Sequence, residues 1–357
     1  MSYFLKSGNT FKVSTKESMD LHDRLPVGTY TVGFDKMNGF FFLEKIADFE
    51  INGKIYGNPT RNADRILRTF NDRPAATGVM LTGEKGSGKT MLTKKIAIQA
   101  AQEGIPTIVI NQPWCGEGFN AFMQMIDQPT IVIFDEFEKV YDRDDQEKML
   151  TLLDGVYPSK KLFLLTCNDK WRVDAHMRNR PGRIFYMIDF KGLDADFIRE
   201  YCNDVLNAKE HIEKICQIAT LFSEFNFDML KALVEDMNRY NETPQEAMRM
   251  LNAKPEFSDE ARYSVELQID GLDIAQEKVE SKEWHGNPLT KMVHIDYKVV
   301  ENEGTEEESW DWEGVRFTAQ DLKQVDPKGK FIFLNEDGDR LVLTKIKEKT
   351  YYHYDAL

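Results

Sequence analysis

The stretch Gly83-Glu84-Lys85-Gly86-Ser87-Gly88-Lys89-Thr90 lies between the apolar run VMLT (79–82) and the helical pattern MLTKKIAIQAA (91–101). It fits GxxxxGK[ST] without mismatch, in the strand, loop and helix context that the motif needs. Its glycines let the backbone wrap a phosphate, so that successive N–H groups and the helix N-terminus point at the oxygens. Lys89 is expected to reach the β- and γ-phosphates of a nucleotide, and the Thr90 hydroxyl to coordinate Mg²⁺.

Working outward, IVIFDE (131–136) is an apolar strand ending in two carboxylates. In a parallel sheet it would lie beside the phosphate loop. Asp135 is expected to hold Mg²⁺, directly or through water, and Glu136 to polarise the water that attacks the γ-phosphate of ATP. KLFLLTCN (161–168) is a further buried strand ending in a polar amide. Asn168 can orient the attacking water or touch the γ-phosphate; taken alone, it reads first as a turn or helix-cap residue.

Around these motifs, strands are expected at Gly78–Leu81, Thr107–Ile110, Thr130–Phe134, Lys161–Thr166 and Phe185–Asp189. Near-continuous apolar strands separated by helical patterns predict a parallel sheet covered on both faces. Residues 62–70 have helical spacing ahead of this core. Residues 194–252 show helical periodicity almost throughout and predict a four-helix bundle. Residues 1–54, and the strands at Met292–Val300, Lys330–Leu334 and Arg340–Lys345, predict two small β units. The expected organisation is therefore α/β: residues 1–54 an N-terminal β-rich domain, 55–190 a large α/β subdomain with a phosphate-binding loop, 191–256 a helical subdomain, and 257–357 an acidic β-rich C-terminal domain.

The chain has 357 residues, with 46 Lys and Arg against 60 Asp and Glu, a net charge of −14. That balance argues against a broad basic surface for DNA or RNA. Residues 257–357 hold 23 acidic and 13 basic side chains, a net of −10, and the run ENEGTEEE (301–308) reads as a solvated loop. Cys115, Cys167, Cys202 and Cys216 form no CxxC pair and read as reduced thiols. The six histidines include no HExxH, so a dedicated metal cage is not expected and any metal should arrive with a ligand. No run approaches about 18 consecutive apolar residues and the opening lacks a signal-peptide pattern, so a cytoplasmic protein away from membranes is expected.

The order of these parts resembles the AAA+ ATPases, in particular the branch with the FtsH-like proteases and the mitochondrial Rieske-assembly translocase. The resemblance covers about residues 55–252, with GEKGSGKT as Walker A, IVIFDE as Walker B and LLTCN as the sensor-1 strand. It implies an AAA+ core with a helical lid, Mg²⁺-dependent ATP hydrolysis, and a homo-oligomer, a hexameric ring, acting on a protein client. RNRPGR (178–183) resembles the branch's RPGR segment, so Arg180 and Arg183 are implied as fingers reaching the γ-phosphate of the adjacent subunit, with Arg178 an extra candidate. Such a guanidinium neutralises charge spread over several phosphate oxygens. Tyr56 and Gly57 resemble part of the adenine-side loop. Trp114 and Cys115 correspond to the client-gripping pore loop, although Trp114 also reads as a packing residue. Where such proteins carry small residues before the second sensor, this chain has Asn226-Phe227; Lys231 is a candidate substitute, although it reads first as a solvent-facing lysine.

The resemblance implies a ring ATPase that remodels, unfolds or translocates a protein. A nucleic-acid motor or loader shares the ATP site and is the alternative, opposed by the net charge. A monomeric P-loop kinase has no use for fingers in trans.

Overall fold

The computed structural model describes residues 2–7, 10–15, 20, 22–57, 59–154, 160–178, 180–190, 192–222, 225–252, 261–301, 309–326 and 329–346. Met1–Phe190 and Lys191–Leu357 form separate units. The acidic run at 302–308 and the expected boundary at 256/257 lie outside the described residues.

The first unit begins with β1 (Ser2–Ser7) and β2 (Thr10–Thr15), paired as an antiparallel hairpin. There follow β3 (Thr29–Asp35), β4 (Phe40–Ile46), α1 (Pro59–Asp72), β5 (Thr77–Thr82), α2 (Lys89–Gln102), β6 (Thr107–Ile110), α3 (Glu117–Met125) and β7 (Thr130–Phe134). Then come α4 (Phe137–Val140), α5 (Arg143–Leu153), β8 (Lys161–Cys167), α6 (Ala175–Arg178) and β9 (Tyr186–Asp189). The main sheet runs β4-β3-β6-β7-β8-β5-β9. Its ladders are parallel from β3 to β9, and only β4 pairs antiparallel, with β3.

β5, β7 and β8 are buried at every position, which is why their sequences are nearly continuous apolar runs rather than alternating ones. One face packs Val79, Leu81, Ile131, Ile133, Leu162 and Leu164 against α1 and α2 through Ile66, Phe70, Leu92 and Ile96. The opposite face packs Met80, Val132, Phe134, Phe163 and Leu165 against Phe119 and Met123 of α3 and Met149 and Leu153 of α5. The mixed α/β class with a parallel sheet is thus the one expected.

The hairpin β3–β4, expected in a separate N-terminal unit, instead extends the central sheet: Thr29, Tyr30 and Thr31 align with Thr107, Ile108 and Val109 of β6. Buried Tyr30 and Val32 join the core on the face that α3 and α5 cover. The physical reason is the edge that a four-residue β6 would otherwise expose.

In the second unit, α7 (Ala195–Val205), α8 (Ile212–Ala219), α9 (Phe227–Tyr240) and α10 (Pro244–Met250) supply the four expected helices. Asn226 caps α9 by accepting from the Met229 N–H at 3.0 Å, and Lys231 is exposed on that helix. An antiparallel sheet follows, from β10 (Arg262–Ile269), β11 (Leu272–Asp273), β12 (Glu283–His285), β15 (Leu322–Val325), β16 (Lys330–Leu334) and β17 (Arg340–Lys345), with β13 (Val293–Glu301) and β14 (Ser309–Phe317) paired as a long hairpin. Its core is built from Tyr263, Val265, Phe317, Phe331, Phe333 and Leu343, among others. No described helix is long and apolar enough to cross a membrane.

Candidate active site

The loop Gly83–Gly88 joins the C-terminal end of β5 to the N-terminus of α2. Gly83 adopts φ 132°, and a Cβ there would stand 2.2 Å from the Phe190 carbonyl oxygen, so glycine is required by both conformation and space. Gly88, at φ 104°, makes the turn into α2. Lys89 is only 7% exposed. Its ammonium donates to the carbonyls of Gly83 and Glu84, the latter at 2.8 Å, and to Asn168 Oδ1 at 3.1 Å. Burial pushes the Lys89 ammonium below the ordinary lysine range, against Cys167, Glu138, Asp135 and Glu136, which hold it up. The Ser87 hydroxyl is buried without a hydrogen-bond partner. An unpartnered hydroxyl and an ammonium bonded to carbonyls of its own loop suit a cradle for anionic oxygens, because a phosphate would satisfy both.

Asp135 and Glu136 follow β7 directly, and Thr166 near the end of neighbouring β8 meets both. Its hydroxyl donates to Asp135 Oδ1 at 2.6 Å and accepts from the Glu136 N–H at 2.9 Å. Glu136 sits in the left-handed region at φ 48°. Its Oε1 accepts from Lys139 at 2.7 Å and lies 3.6 Å from the Lys85 ammonium. The Lys139 hydrogen bond, ahead of the Lys139 and Lys85 charges and a bond from Asn168, holds the Glu136 carboxyl below the usual range. Asn168 thus accepts from Lys89 on one side and acts on the Glu136 carboxyl on the other. Its own N–H donates to Glu138 Oε1 at 3.0 Å.

No motif in the sequence marks Glu138 or Thr166. Glu138 is 5% exposed, with Oε2 unpartnered. The available signals were slight: a hydroxyl interrupting the apolar run LFLLTC, and a carboxylate two positions past Glu136.

Thr90 and Asp135 are both exposed. Two hard oxygen donors beside a phosphate cradle fit Mg²⁺, which is held by one or two carboxylates plus nucleotide phosphates rather than by an all-protein cage. Tyr56 and Gly57 lie just before α1, Tyr56 half-buried with Lys54 Nζ 5.0 Å from its ring centroid.

Two of the expected interaction sites are packed within their own chain. Arg183, expected to reach another subunit, is 7% exposed and turned into its own chain. Its Nη2 donates to Asp154 Oδ2 at 2.6 Å, its Nε to Asp154 Oδ1, and its Nη1 to the His176 carbonyl at 3.0 Å. Arg180 of the same segment is exposed, while Arg178 is half-buried with its guanidinium 4.7 Å from the Trp171 ring centroid. Trp114 and Cys115, expected at a client-gripping tip, are packed instead. Trp114 lies against the core with ring centroids 5.4 Å from Phe41 and 6.0 Å from Phe34, its Nε1 donating to the Val32 carbonyl at 3.3 Å. Cys115 Sγ donates to Asp145 Oδ1 at 3.2 Å. The β3–β4 hairpin supplies the aromatic surface that covers the indole.

Residues 79–191 match the family described as ATPase family associated with various cellular activities (AAA). "Nuclear valosin-containing protein-like" of Mus musculus is 27% identical over 146 residues, covering 35% of this chain and 16% of that protein. "Putative cell division cycle ATPase" of Plasmodium falciparum (isolate 3D7) is 25% identical over 210 residues, covering 52% of this chain and 16% of that protein. The chain therefore spans about a sixth of the length of these curated relatives. The crystal structure of the FIGL-1 AAA domain in complex with ADP is similar at a TM-score of 0.41 and 16% identity, covering 59% of this chain and 88% of that one. The likeness to that family is thus carried by residues 79–191, which run from within β5 to two residues past β9.

Proposed function

We propose that this protein is a Mg²⁺-dependent ATP hydrolase whose copies assemble into a ring, complete one another's sites, and use the cycle to remodel a protein client. The observation that carries the reading is the meeting of Lys89, Asn168 and Glu136 from three different elements, with Asp135 held beside them.

In this reading the N–H groups of the Gly83–Thr90 loop and the Lys89 ammonium hold the β- and γ-phosphates, and Lys89 exchanges its loop carbonyls for phosphate oxygens. Thr90 and Asp135 would hold Mg²⁺, which supplies charge neutralisation at the phosphates. Glu136, ionised at neutral pH, accepts a proton from the attacking water, and the Asn168 amide orients that water. The exposed guanidinium of Arg180 acts on the γ-phosphate held by a neighbouring copy, so hydrolysis depends on assembly. The RNRPGR segment is the feature on which likeness to the FtsH-like branch rests. Tyr56 and Gly57 serve the adenine side.

The test combines three proteins. Lys89→Ala loses nucleotide binding. Glu136→Gln binds ATP, hydrolyses it poorly and accumulates as a closed oligomer in sedimentation and electron micrograph averages. The wild type loses specific activity on dilution. A chain that stays monomeric with ATP bound, yet turns over at full rate, would overturn the ring reading.

A further inference from the structure

We infer that Thr166 is a positioning residue, whose single hydroxyl sets the Mg²⁺-side carboxylate of Asp135 and the backbone of Glu136 in one fixed relation. The inference rests on the ATPase reading and adds a residue to it.

Thr166 is 2% exposed, in the fully buried strand β8. A buried threonine must place its hydroxyl, and here it uses neither its own ladder nor a nearby carbonyl. It gives its proton to Asp135 Oδ1 at 2.6 Å, the short separation of a charge-assisted bond, and takes the Glu136 N–H at 2.9 Å. One donor and one acceptor lone pair of the same oxygen are thereby spent on two consecutive functional residues.

Each bond has its own consequence. Because the hydroxyl occupies Oδ1 of Asp135, it fixes the rotation of that carboxylate and leaves Oδ2 as the oxygen to offer a metal. Because Glu136 precedes α4 at φ 48°, its N–H lies outside any helix ladder and needs a partner. Thr166 supplies it, and so fixes the unusual backbone conformation from which the Glu136 side chain departs. β7 and β8 align in parallel from Thr130 with Lys161 to Phe134 with Leu165, so the clasp lies one residue past the last of these pairs. It carries the strand register into the turn, where no ladder hydrogen bond can.

The experiment compares Thr166→Val, which keeps shape and removes the hydroxyl, with Thr166→Ser, which keeps the hydroxyl. Two readouts are taken: steady-state ATP turnover, and the Mg²⁺ titration of fluorescent-ATP binding in a Glu136→Gln background, where hydrolysis does not intervene. Thr166→Val is expected to lower kcat between about tenfold and about a hundredfold with little change in KM, as for a displaced catalytic group. It is also expected to move the Mg²⁺ titration to higher concentration, and Thr166→Ser to retain most of both properties. Wild-type kcat and Mg²⁺ titration in Thr166→Val, or Thr166→Ser as impaired as Thr166→Val, overturns the inference. If Thr166→Val does not fold, Thr166→Ala takes its place against Thr166→Ser. A wild type that binds ATP without hydrolysing it would sink the proposed function, while the Mg²⁺ titration still decides the role of Thr166.

Discussion

Arg183 meets Asp154 with two prongs of its guanidinium, one at 2.6 Å, while a third nitrogen reaches the His176 carbonyl at 3.0 Å. Asp154 follows α5 directly, so the pair ties the RNRPGR segment to the end of that helix. Three of the five N–H donors of that fork are thereby used within its own chain.

The first prediction concerns that pair. Asp154→Ala should lower stability by about 3 kcal/mol, because it leaves the buried Arg183 guanidinium without its partner, and Arg183→Ala by less, because the Asp154 carboxylate it leaves is exposed. The Arg183 hydrogen bond holds the Asp154 carboxyl below its usual value of 3.8. The contribution is therefore full above that value and fades as pH falls through the depressed folded-state pKa. Denaturant unfolding at neutral and acid pH reads it: the gap between wild type and Arg183→Ala should close at the acid end. Unchanged stability with lost hydrolysis would return Arg183 to the role of a finger.

Arg180 carries the opposite expectation. Its side chain is exposed, so Arg180→Ala should leave the unfolding transition and nucleotide affinity near wild type while lowering turnover about a thousandfold, the lower end of what such a guanidinium contributes. Mixed with Lys89→Ala, it should regain part of that activity at interfaces pairing an intact loop with an intact Arg180. Full activity of the single variant would show that the site needs no guanidinium from this segment.

How far the sequence reaches follows from which forces are local. The phosphate loop, the acidic pair and Asn168 were legible because each sits at the end of a fully buried strand, where an apolar run stops abruptly at a polar residue. Thr107–Ile110, Thr130–Phe134, Lys330–Leu334 and Arg340–Lys345 occur as expected for the same reason. The pairing of β3 with β6 was not legible, since β3 reads as an ordinary alternating strand and its partner is set by an edge elsewhere in the chain. The sequence leaves Trp114 open between a pore loop and packing, and offers Arg183 as a finger. Whether an indole or a guanidinium faces outward depends on Phe41 and Asp154, both distant in sequence.

Trp114 yields a third prediction. Packed on Phe34 and Phe41, it should behave as a core residue: Trp114→Ala should cost about 3 kcal/mol. Heat inactivation and ATPase loss should move together, whereas Trp114→Phe should recover most of the stability. A Trp114→Ala protein with wild-type unfolding that fails only with a protein client would restore the pore-loop assignment.

Lys161 provides the last. It is 1% exposed at the start of β8, donating to the carbonyls of Ile126 at 2.5 Å and Gln128 at 3.2 Å. Burial lowers its pKa from 10.5 to about 8. A base depressed in the folded state binds fewer protons there than in the unfolded chain between those two values. Folding stability therefore rises with pH across that window, by at most about 3 kcal/mol. Lys161→Met removes the titration along with two hydrogen bonds, so its stability should show no such rise. Because Tyr263 and Tyr297 are also shifted, to about 12, the informative quantity is the difference between the two proteins, measured by denaturant unfolding from about pH 7 to about pH 10. The wild type should gain on the variant across that range. A constant difference would mean that the Lys161 ammonium is solvated well enough to keep an ordinary pKa, and that the start of β8 admits water.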